Sequence, residues 1–507
     1  MLLKISSAAN FGVTSIGVTV EVNIASRGMP YFDIVGLPNK SIDESKLRVK
    51  NALINSELKF PEKRITVNLA PADIPKEGSF YDLPIAVGIM CGEAELNVPG
   101  DALFFGELSL DGTLRHTKGV FLLALFAKEN GFNQLFVPAD NAQEAASISG
   151  VKVYPVEKLT QLVNHLRGSN LINPCIYINS RVKKQITYEY DMGQVFGQEK
   201  TKRALEISAA GGHNLLMSGP PGAGKTMLAK SFCSILPELT DKESLEVTQI
   251  YSSIGRIDPG NSIITQRPFR SPHHTISYAG MVGGGSIPHP GEISLSHRGV
   301  LFMDEFPEFS RGVLEALRQP LEDGNITISR SYGSYTFPSR FILIAACNPC
   351  PCGYLGSVGK SCSCSRNQIA MYRKKLSGPI LDRIDLFSDV YNVDVGELST
   401  NRIRDKAPVG SDVIKENVQV ARERQVYRFR DCGIYSNAEM KNSHIRQSCK
   451  IEDGAERLLQ KAVVLHSLSA RSYFKLIRIA QTISDLSGVD KIGINHMAEA
   501  IQFRSSH

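Results

Sequence analysis

The sequence predicts a multidomain α/β protein, and three observations support this prediction. The chain has 507 residues, enough for about three domains of ordinary size. A buried-strand pattern at 213–219 leads through the glycine-rich segment GPPGAGKT at 219–226 into helical apolar spacing at 226–236. Two further buried strands, at 300–303 and 340–349, end in polar side chains. The middle of the chain is therefore predicted to be a parallel sheet flanked by helices.

The segment GPPGAGKT has the residue types of a phosphate-binding loop, because it fits the pattern G-x-x-x-x-G-K-[ST]. Glycines let the backbone approach phosphate oxygens closely and direct its N–H groups at them. In such a loop the lysine neutralises the β- and γ-phosphates, and the hydroxyl residue ligates Mg²⁺. We expect an ATP and Mg²⁺ site whose nucleotide-binding residues include Gly219, Gly222, Gly224, Lys225 and Thr226.

Acidic and amide side chains follow the two other strands. Asp304 and Glu305 come directly after the strand at 300–303. Asp304 is expected to hold Mg²⁺ through water, and Glu305 to act as general base on the attacking water. An ordinary acidic pair at a strand end is the alternative. Asn348, near the end of its strand, fits a residue that orients the lytic water, or an Asn-Pro turn residue. The sequence thus predicts a hydrolytic nucleotide site.

The bulk composition excludes some classes of protein. The chain is 42% hydrophobic and 21% charged, as in ordinary globular proteins. Its net charge of +6 permits nucleic-acid binding without arguing for it. No apolar run approaches the roughly 18–20 residues that cross a bilayer. The N-terminus lacks the apolar core and cleavage site of an export signal. The prediction is a cytoplasmic protein without membrane contacts.

Cysteines are concentrated in one short segment, since five of the ten lie between Cys347 and Cys364. Two C-x-C pairs separated by nine residues can supply four thiolates tetrahedrally to zinc, although this spacing is tighter than usual. Cys347 lies within an apolar strand and is assigned to the core. A cluster of reduced cysteines is the alternative. The predicted zinc site is structural, with the ligands Cys350, Cys352, Cys362 and Cys364.

These nucleotide-site motifs resemble those of the AAA+ ATPases. The segment GPILDRIDL at 378–386 resembles the one that carries their arginine finger, which implies that Arg383 reaches the γ-phosphate of a neighbouring subunit. The segment SARSYFKLIRIA at 469–480 resembles the lid helix that carries sensor two, which implies this role for Arg471. Both roles place a guanidinium on charge that develops in the transition state. The alternatives are an ion pair between Arg383 and an adjacent aspartate, and a solvated Arg471.

Two insertions narrow this resemblance. Residues 277–299 resemble a helix-two insert, and 323–340 resemble a pre-sensor-one β-hairpin that closes near Tyr332–Gly333. Both insertions mark the clade of magnesium-chelatase motor subunits and the replicative helicases of archaea and eukaryotes. In helicases of that clade they line the pore of the ring. Arg330 is therefore a candidate phosphate contact, or alternatively a solvated hairpin arginine.

Two other polar segments admit more than one interpretation. MYRKKL at 371–376 places Arg373, Lys374 and Lys375 beside an aromatic side chain, which fits a nucleic-acid contact or a solvated basic face equally. RSPHHT at 270–275 holds two adjacent histidines with no acidic residue nearby in sequence. This favours a polar loop contact, to nucleic acid or a neighbouring subunit, over a metal site.

The N-terminal region resembles the proteolytic domain of Lon in three segments: 75–84, 106–121 and 126–138. That domain uses a Ser–Lys dyad. In this chain the nucleophile position holds Phe80 and the lysine position holds Phe121, while Ser79 and Lys118 lie one and three places early. Phenylalanine is neither a nucleophile nor a base. The resemblance therefore implies an inactive domain that serves as a scaffold or binds a partner.

Over essentially its whole length the chain resembles the YifB/ComM family, often labelled magnesium-chelatase-like. Cys347 stands where that family more often has alanine, and no predicted role depends on it. Helical apolar spacing at the C-terminal end agrees with a lid. The implied organisation is a Lon-like α+β domain at 1–167, a linker at 168–190, an AAA+ α/β core at 191–396 that includes the cysteine cluster 347–364, and a helical lid at 397–507.

This resemblance implies a hexameric, ATP-dependent DNA motor. It would promote branch migration and heteroduplex extension in homologous recombination during natural transformation, with single- and double-stranded DNA and branched junctions as partners. Only the family, and no spacing or composition, points to DNA. The alternative is a remodeller of a protein partner, of magnesium-chelatase or chaperone type, without DNA as substrate.

Overall fold

The computed structural model describes residues 1–26, 29–36, 40–72, 76, 78–93, 96–176, 188–257, 262–285, 288–330, 333–356, 360–392, 409–466 and 468–504, except for the side chains of residues 40 and 41. The mixed α/β architecture confirms the predicted fold class, with a parallel sheet at the centre and helices after it. Among the described helices, none combines the length and the apolar character needed to cross a membrane.

The N-terminal unit contains two main sheets. Its elements are β1 (Leu2–Phe11), β2 (Thr14–Ile24), β3 (Tyr31–Val35), α1 (Lys40–Asn55), β4 (Arg64–Ala70), α2 (Asp82–Cys91), β5 (Ala102–Phe104), β6 (Glu107–Leu108), β7 (Leu114–Arg115), α3 (Val120–Glu129), β8 (Gln134–Pro138), α4 (Ala142–Ala146), β9 (Lys152–Val156) and α5 (Leu159–Leu166). The first sheet has the order β1-β2-β4-β3, with only β3 and β4 parallel to each other. The second, β5-β8-β9, is parallel. Helix α2 is buried almost throughout, because its apolar residues pack against the first sheet.

The central unit is built on a parallel sheet. Its elements are α6 (Glu199–Gly211), β10 (Leu215–Ser218), α7 (Lys225–Ser231), α8 (Asp241–Ser253), β11 (Phe269–Arg270), α9 (Tyr278–Val282), β12 (Gly283–Gly284), β13 (His289–Pro290), α10 (Glu292–Leu295), β14 (Val300–Met303), α11 (Arg311–Ala316), α12 (Arg318–Asp323), β15 (Asn325–Arg330), β16 (Gly333–Pro338), β17 (Ile342–Cys347), α13 (Arg366–Lys374), α14 (Gly378–Leu381) and β18 (Leu386–Asp389). In the described part of the chain, five strands pair in parallel in the order β11-β14-β17-β10-β18.

Both faces of this sheet are covered, which explains why its strands are continuously apolar rather than alternating. In β10, Leu215 and Met217 join a cluster with α6, α7 and the C-terminal helices, whereas Leu216 joins a cluster on the other face with α9–α12. The carboxyl ends of β10, β14 and β17 lie side by side, because the three strands are parallel neighbours. Residues that follow these strands are thereby brought to one edge of the sheet.

The C-terminal unit is mainly helical. Its elements are α15 (Ser411–Arg428), α16 (Asn442–Ser448), β19 (Lys450–Ile451), α17 (Asp453–Leu465), α18 (Ala470–Leu486), β20 (Lys491–Ile492) and α19 (Ile494–Gln502). Helix α18 carries the unit onto the central sheet, where buried Lys475 pairs with Asp385 at 2.8 Å. Burial raises the pKa of Asp385, but the ammonium of Lys475 and a hydrogen bond with His213 outweigh it and hold that pKa well below its usual range.

Described residues of the N-terminal unit contact those of the central unit. Phe11, at the end of β1, stacks on Tyr335 of the β15–β16 hairpin with ring centroids 4.1 Å apart. Ser252 of α8 donates a hydrogen bond to Glu144 of α4 at 2.6 Å. The apolar face of the hairpin packs into a core cluster of the central unit, and Phe11 of the N-terminal unit adds to this cluster.

The predicted domain boundaries stay predictions. Residues 177–187 of the predicted linker, residues 393–408 around the predicted start of the lid, and the hairpin turn at 331–332 lie outside the described residues. The first part of the predicted linker packs on the N-terminal unit, where Ile172 is buried and the Cys175 N–H donates to the carbonyl of Val153 at 2.7 Å. An apolar side chain and a strand-like pairing thus attach the start of this stretch to the N-terminal unit.

Candidate ATP site and four-cysteine cluster

The glycine-rich loop begins where β10 ends, at the edge of the sheet. The N–H of Gly219 donates to the carbonyl of Cys347 at 3.1 Å, which ties the loop to the end of β17. Gly222 and Gly224 have φ of +78° and +88°. This left-handed conformation is costly for residues that carry a Cβ, so the pattern of glycines follows from the path of the loop.

Lys225 folds back over this loop. Its Nζ donates to the carbonyls of Gly219 at 2.6 Å and Pro220 at 2.9 Å, and to Oδ1 of Asn348 at 3.1 Å. Burial lowers the pKa of Lys225, and the carboxylate of Asp304 partly offsets this effect. An ammonium aimed at loop carbonyls and at the residue after β17 is poised at the place where phosphate oxygens bind in loops of this pattern.

The predicted Mg²⁺ residues also meet. Thr226 Oγ1 lies 2.9 Å from Oδ2 of Asp304, while Oδ1 of Asp304 accepts the N–H of Glu305 at 2.9 Å. Hydroxyl and carboxylate oxygens on facing elements are the donors that Mg²⁺ uses beside nucleotide phosphates, so the residues fit the ion. The structure therefore brings together Lys225, Thr226, Asp304, Glu305 and Asn348 at one edge of the sheet.

Glu305 has a partner that the sequence did not reveal. Its backbone is left-handed, with φ of +51°, and its Oε2 lies 2.9 Å from Nδ1 of His274. The adjacent His273 bonds instead to Thr275, at 2.9 Å. The available signal was positional, because the histidines follow β11 and β11 pairs with β14, the strand that leads to Glu305. The expected polar loop contact is thus made within this chain, to an acidic residue distant in sequence.

The two predicted arginines lie elsewhere. Arg383 and Arg471 both pair with the carboxylate of Glu322, at the end of α12. Arg383 also donates to the carbonyls of Arg318 at 3.2 Å and Pro379 at 2.7 Å. Among the described residues neither arginine bonds to the phosphate loop. The ion-pair alternative for Arg383 named an adjacent aspartate, and this was wrong, because the partner comes from α12.

The four predicted zinc ligands converge. Sγ of Cys350 lies 3.4 Å from that of Cys352 and 3.7 Å from that of Cys362, and all four ligand sulfurs lie within 4.8 Å of one another. A tetrahedral zinc with Zn–S bonds of about 2.3 Å requires sulfurs about 3.8 Å apart. Backbone N–H groups, first that of Tyr354 and then that of Ser363, lower the pKa of Cys352 to about 6. This geometry fits zinc. Cys347 is buried in β17, as expected.

Some of the side chains that were predicted to contact DNA are exposed at the surface. Arg330 is exposed at the end of β15 and approaches the carbonyl of Gly285 at 3.4 Å. Arg373 and Lys374 are exposed at the end of α13, whereas Lys375 pairs with Glu308 at 2.8 Å. The hairpin also exposes hydroxyl residues that the sequence did not single out; they alternate with its buried apolar residues and are Thr327, Ser329, Ser334 and Thr336.

The Lon-like unit has no room for a dyad at the expected positions. Phe80 stacks on Phe105 with centroids 4.3 Å apart, and Phe121 is fully buried. Ser79 hydrogen-bonds to Glu107, while the aliphatic part of Lys118 packs beside Gly255 of the central unit. The serine and the lysine thus face different partners, and aromatic side chains fill the space between the elements that carry them.

Sheet order, phosphate loop, acidic pair and helical lid together define an AAA+ protein of the magnesium-chelatase type. Three family models agree, described as "Magnesium chelatase, subunit ChlI" over residues 191–398, "Subunit ChlI of Mg-chelatase" over 20–141, and "Magnesium chelatase, subunit ChlI C-terminal" over 409–504. The chain belongs to the YifB/ComM family of such proteins.

Two relatives match over nearly the whole chain, and a third matches over a part of it. The competence protein ComM of Haemophilus influenzae is 42% identical, over 99% of this chain and 97% of its own length. The uncharacterized protein YifB of Escherichia coli is 40% identical, over 99% and 96%. The DNA repair protein RadA of Aquifex aeolicus is 28% identical over 25% of this chain and 28% of its own. The first two similarities cover nearly the whole chain.

Proposed function

We propose that this protein is a cytoplasmic, ATP-driven DNA motor that works as a ring of six copies. It hydrolyses ATP to promote branch migration and heteroduplex extension in homologous recombination during natural transformation. The observation that carries the proposal is an incomplete hydrolytic site. The phosphate loop, Mg²⁺ residues and general base converge within one chain, whereas the arginines that should complete the site sit on Glu322.

The chemistry assigns each residue of this site one task. Lys225 binds the β- and γ-phosphates, and Thr226 and Asp304 hold the Mg²⁺ ion, which neutralises phosphate charge when bound. Glu305 accepts a proton from the attacking water, and His274 fixes the direction of its carboxylate at 2.9 Å. Asn348 orients the water or reports the γ-phosphate through Lys225.

An arginine supplied by a neighbouring copy explains why the site needs a ring. Arg383 is largely buried on its own chain, with its side chain 14% exposed, whereas Arg471 is 44% exposed. Both lie on one local surface because both contact Glu322. Two guanidiniums on that surface can meet developing phosphate charge in a neighbouring copy, and either would release Glu322 to do so.

The DNA assignment rests on surface chemistry and on relatives. The β15–β16 hairpin exposes hydroxyl side chains and Arg330, while its apolar face is buried in the core of the central unit. Such groups bind phosphate without reading sequence, as a motor requires. The exposed Arg373 and Lys374 add positive charge close to the cysteine cluster. The names of two relatives refer to competence and to DNA repair.

The central experiment measures ATPase activity with and without DNA, together with branch migration on labelled three-strand and Holliday-junction substrates. Wild type should be stimulated by DNA and should exchange strands. Lys225→Ala should lose nucleotide binding, and Glu305→Gln should keep it while hydrolysis falls by about 10²- to 10⁴-fold. Wild-type protein that shows neither DNA stimulation nor strand exchange would sink the motor proposal. ATPase stimulated by a protein and not by DNA would favour the remodelling alternative.

Salt dependence tests the DNA contacts separately. Each of Arg330→Ala, Arg373→Ala and Lys374→Ala should weaken binding to DNA of any sequence and reduce the slope of log affinity against log salt by about 1. Lys461→Ala removes an exposed lysine from α17 and serves as the matched control. If the slope of log affinity against log salt is the same in all four variants, then Arg330, Arg373 and Lys374 do not contact DNA.

A further inference from the structure

The cysteine cluster is built onto the nucleotide site. Cys347, the last residue of β17, accepts the N–H of Gly219 at 3.1 Å through its carbonyl. The next residue, Asn348, accepts from Nζ of Lys225 at 3.1 Å. The first ligand, Cys350, follows after a single proline. The backbone that carries Asn348 to Lys225 therefore enters the cluster directly.

A second contact joins the cluster to the phosphate loop. The N–H of Gly353 donates to the carbonyl of Cys350 at 3.0 Å, so the first two ligands lie within one tight turn. Gly353 has φ of +84°, and a Cβ at this position would stand 2.6 Å from Cδ of Pro221. The turn of the cluster thus presses against the phosphate loop, and no larger residue fits between them.

The other pair of ligands is connected to Asn348 through helix α13. Cys364 directly precedes Ser365, which caps helix α13 by accepting the N–H of Gln368 at 3.3 Å. Tyr372 of the same helix is buried; burial raises the pKa of its hydroxyl, and a hydrogen bond from the backbone N–H of Asn348 partly offsets this effect. Asn348 therefore lies between the turn that holds Cys350 and Cys352 and the helix that begins after Cys364.

We propose that a zinc ion bound by these four cysteines holds Asn348 and the phosphate loop in their binding geometry, so that occupancy of the metal site sets the affinity for ATP. This inference rests on the proposed ATP site and goes beyond a structural role for zinc. Four thiols contact one another only weakly, whereas four Zn–S bonds fix the turn to α13. A metal bound to Cys350 would restrain the position of Asn348 through the backbone, because Asn348 lies only two residues before this ligand.

The test compares zinc content and ATP affinity in one set of full-length variants. Wild type should hold one zinc ion per chain by elemental analysis. The double variant Cys362→Ser/Cys364→Ser alters the pair farther from Asn348 in sequence; it should lose zinc and bind a fluorescent ATP analogue about 10-fold more weakly. Cys432→Ser, an exposed cysteine of the lid, is the matched control and should change neither quantity.

A double-mutant cycle identifies the route of the effect. Asn348→Ala should weaken ATP binding in wild type and add little in the Cys362→Ser/Cys364→Ser background, because the metal acts through Asn348. Fully additive losses would contradict this route. If the double cysteine variant does not fold, zinc is removed from wild type by a chelator and restored, while amide exchange of residues 219–226 is followed. Exchange should rise on removal and fall on restoration.

The outcomes separate this inference from the proposed function. Folded, zinc-free protein with unchanged ATP affinity and unchanged exchange at 219–226 would overturn the inference and leave the motor intact. Wild-type protein that is purified gently without any zinc would overturn it as well. Zinc-loaded wild type that does not bind ATP would instead overturn the proposed function.

Discussion

Arg383 and Arg471 bind the same carboxylate, that of Glu322, although one follows α14 and the other begins the lid helix α18. This shared partner places both guanidiniums on one surface and keeps them off the phosphate loop of their own chain. The resemblance to AAA+ proteins identified each arginine separately. The structure shows in addition that both arginines pair with the same carboxylate.

The first prediction concerns trans complementation. Lys225→Ala removes nucleotide binding and Arg383→Ala removes the arginine, so each variant alone should lose about 10³-fold in ATPase rate. Mixed in equal amounts with subunit exchange, they should recover activity, because about a quarter of the interfaces join an intact loop to an intact arginine. Arg471→Ala should behave in the same way. Mixtures no more active than their components would show that the arginines act within their own chain, and wild type mixed with the double variant is the control.

The second prediction concerns His274. His274→Ala should lower kcat for ATP by about 10- to 100-fold with little change in KM, because Glu305 loses the partner that directs its carboxylate while the phosphate contacts stay. His274→Asn should recover part of the rate, since an amide can still donate. His273→Ala is the matched control, as that ring bonds to Thr275. If kcat falls equally in His274→Ala and His273→Ala, then His274 has no specific role in hydrolysis.

The third prediction concerns the aromatic filling of the Lon-like unit. Phe121→Lys, with or without Phe80→Ser, should destabilise the protein and create no peptidase, because the ammonium would enter a closed apolar cluster. Phe121→Ala should cost about 3–5 kcal/mol, whereas Phe121→Leu should cost less than about 1.5 kcal/mol. Thermal melts followed by circular dichroism and a casein digestion assay measure both effects. Casein cleavage by the double variant would restore the protease interpretation.

The fourth prediction concerns pH and Glu246. Burial alone would raise its pKa, but hydrogen bonds from His297 and Arg298 outweigh this effect and lower the pKa to about 2. A carboxylate whose pKa is lower when folded stabilises the protein fully above the unfolded value, and this contribution disappears as the pH falls toward 2. Because the side chain is 36% exposed, Glu246→Gln should cost only about 1–2 kcal/mol at pH 7.

Denaturant titrations of wild type and Glu246→Gln at pH 7, 5 and 4 check this trend. The difference between the two proteins should be largest at pH 7 and 5 and should begin to shrink at pH 4. Glu44→Gln removes an exposed carboxylate from α1 and should change stability little at any of these values. A difference that grows as the pH falls would contradict the assignment.

Local patterns were sufficient for much of the fold. The strand at 300–303 was placed correctly because four consecutive apolar residues precede an acidic pair, and the hairpin at 323–340 because its side chains alternate. Glu322 was missed, and the partner of His274 was not identified, because both contacts depend on residues distant in the chain. The packing of Ile172 and the pairing of Cys175 with Val153 were not predicted, because they depend on β9, which lies beside them only in the folded structure.

The sequence by itself determined the chemistry of the phosphate loop, the acidic pair, the four thiols and the loss of the protease dyad. Each of these is a property of residue types within a short segment, where backbone geometry follows from neighbouring residues. Only the tertiary structure decided which groups meet. Parallel strands end at one edge of the sheet, and this brings Asn348 next to Lys225. Glu322 forms ion pairs with two arginines that are far apart in the sequence and share no local pattern. The reason is physical, since side-chain contacts depend on the order of strands in space and not on spacing along the chain.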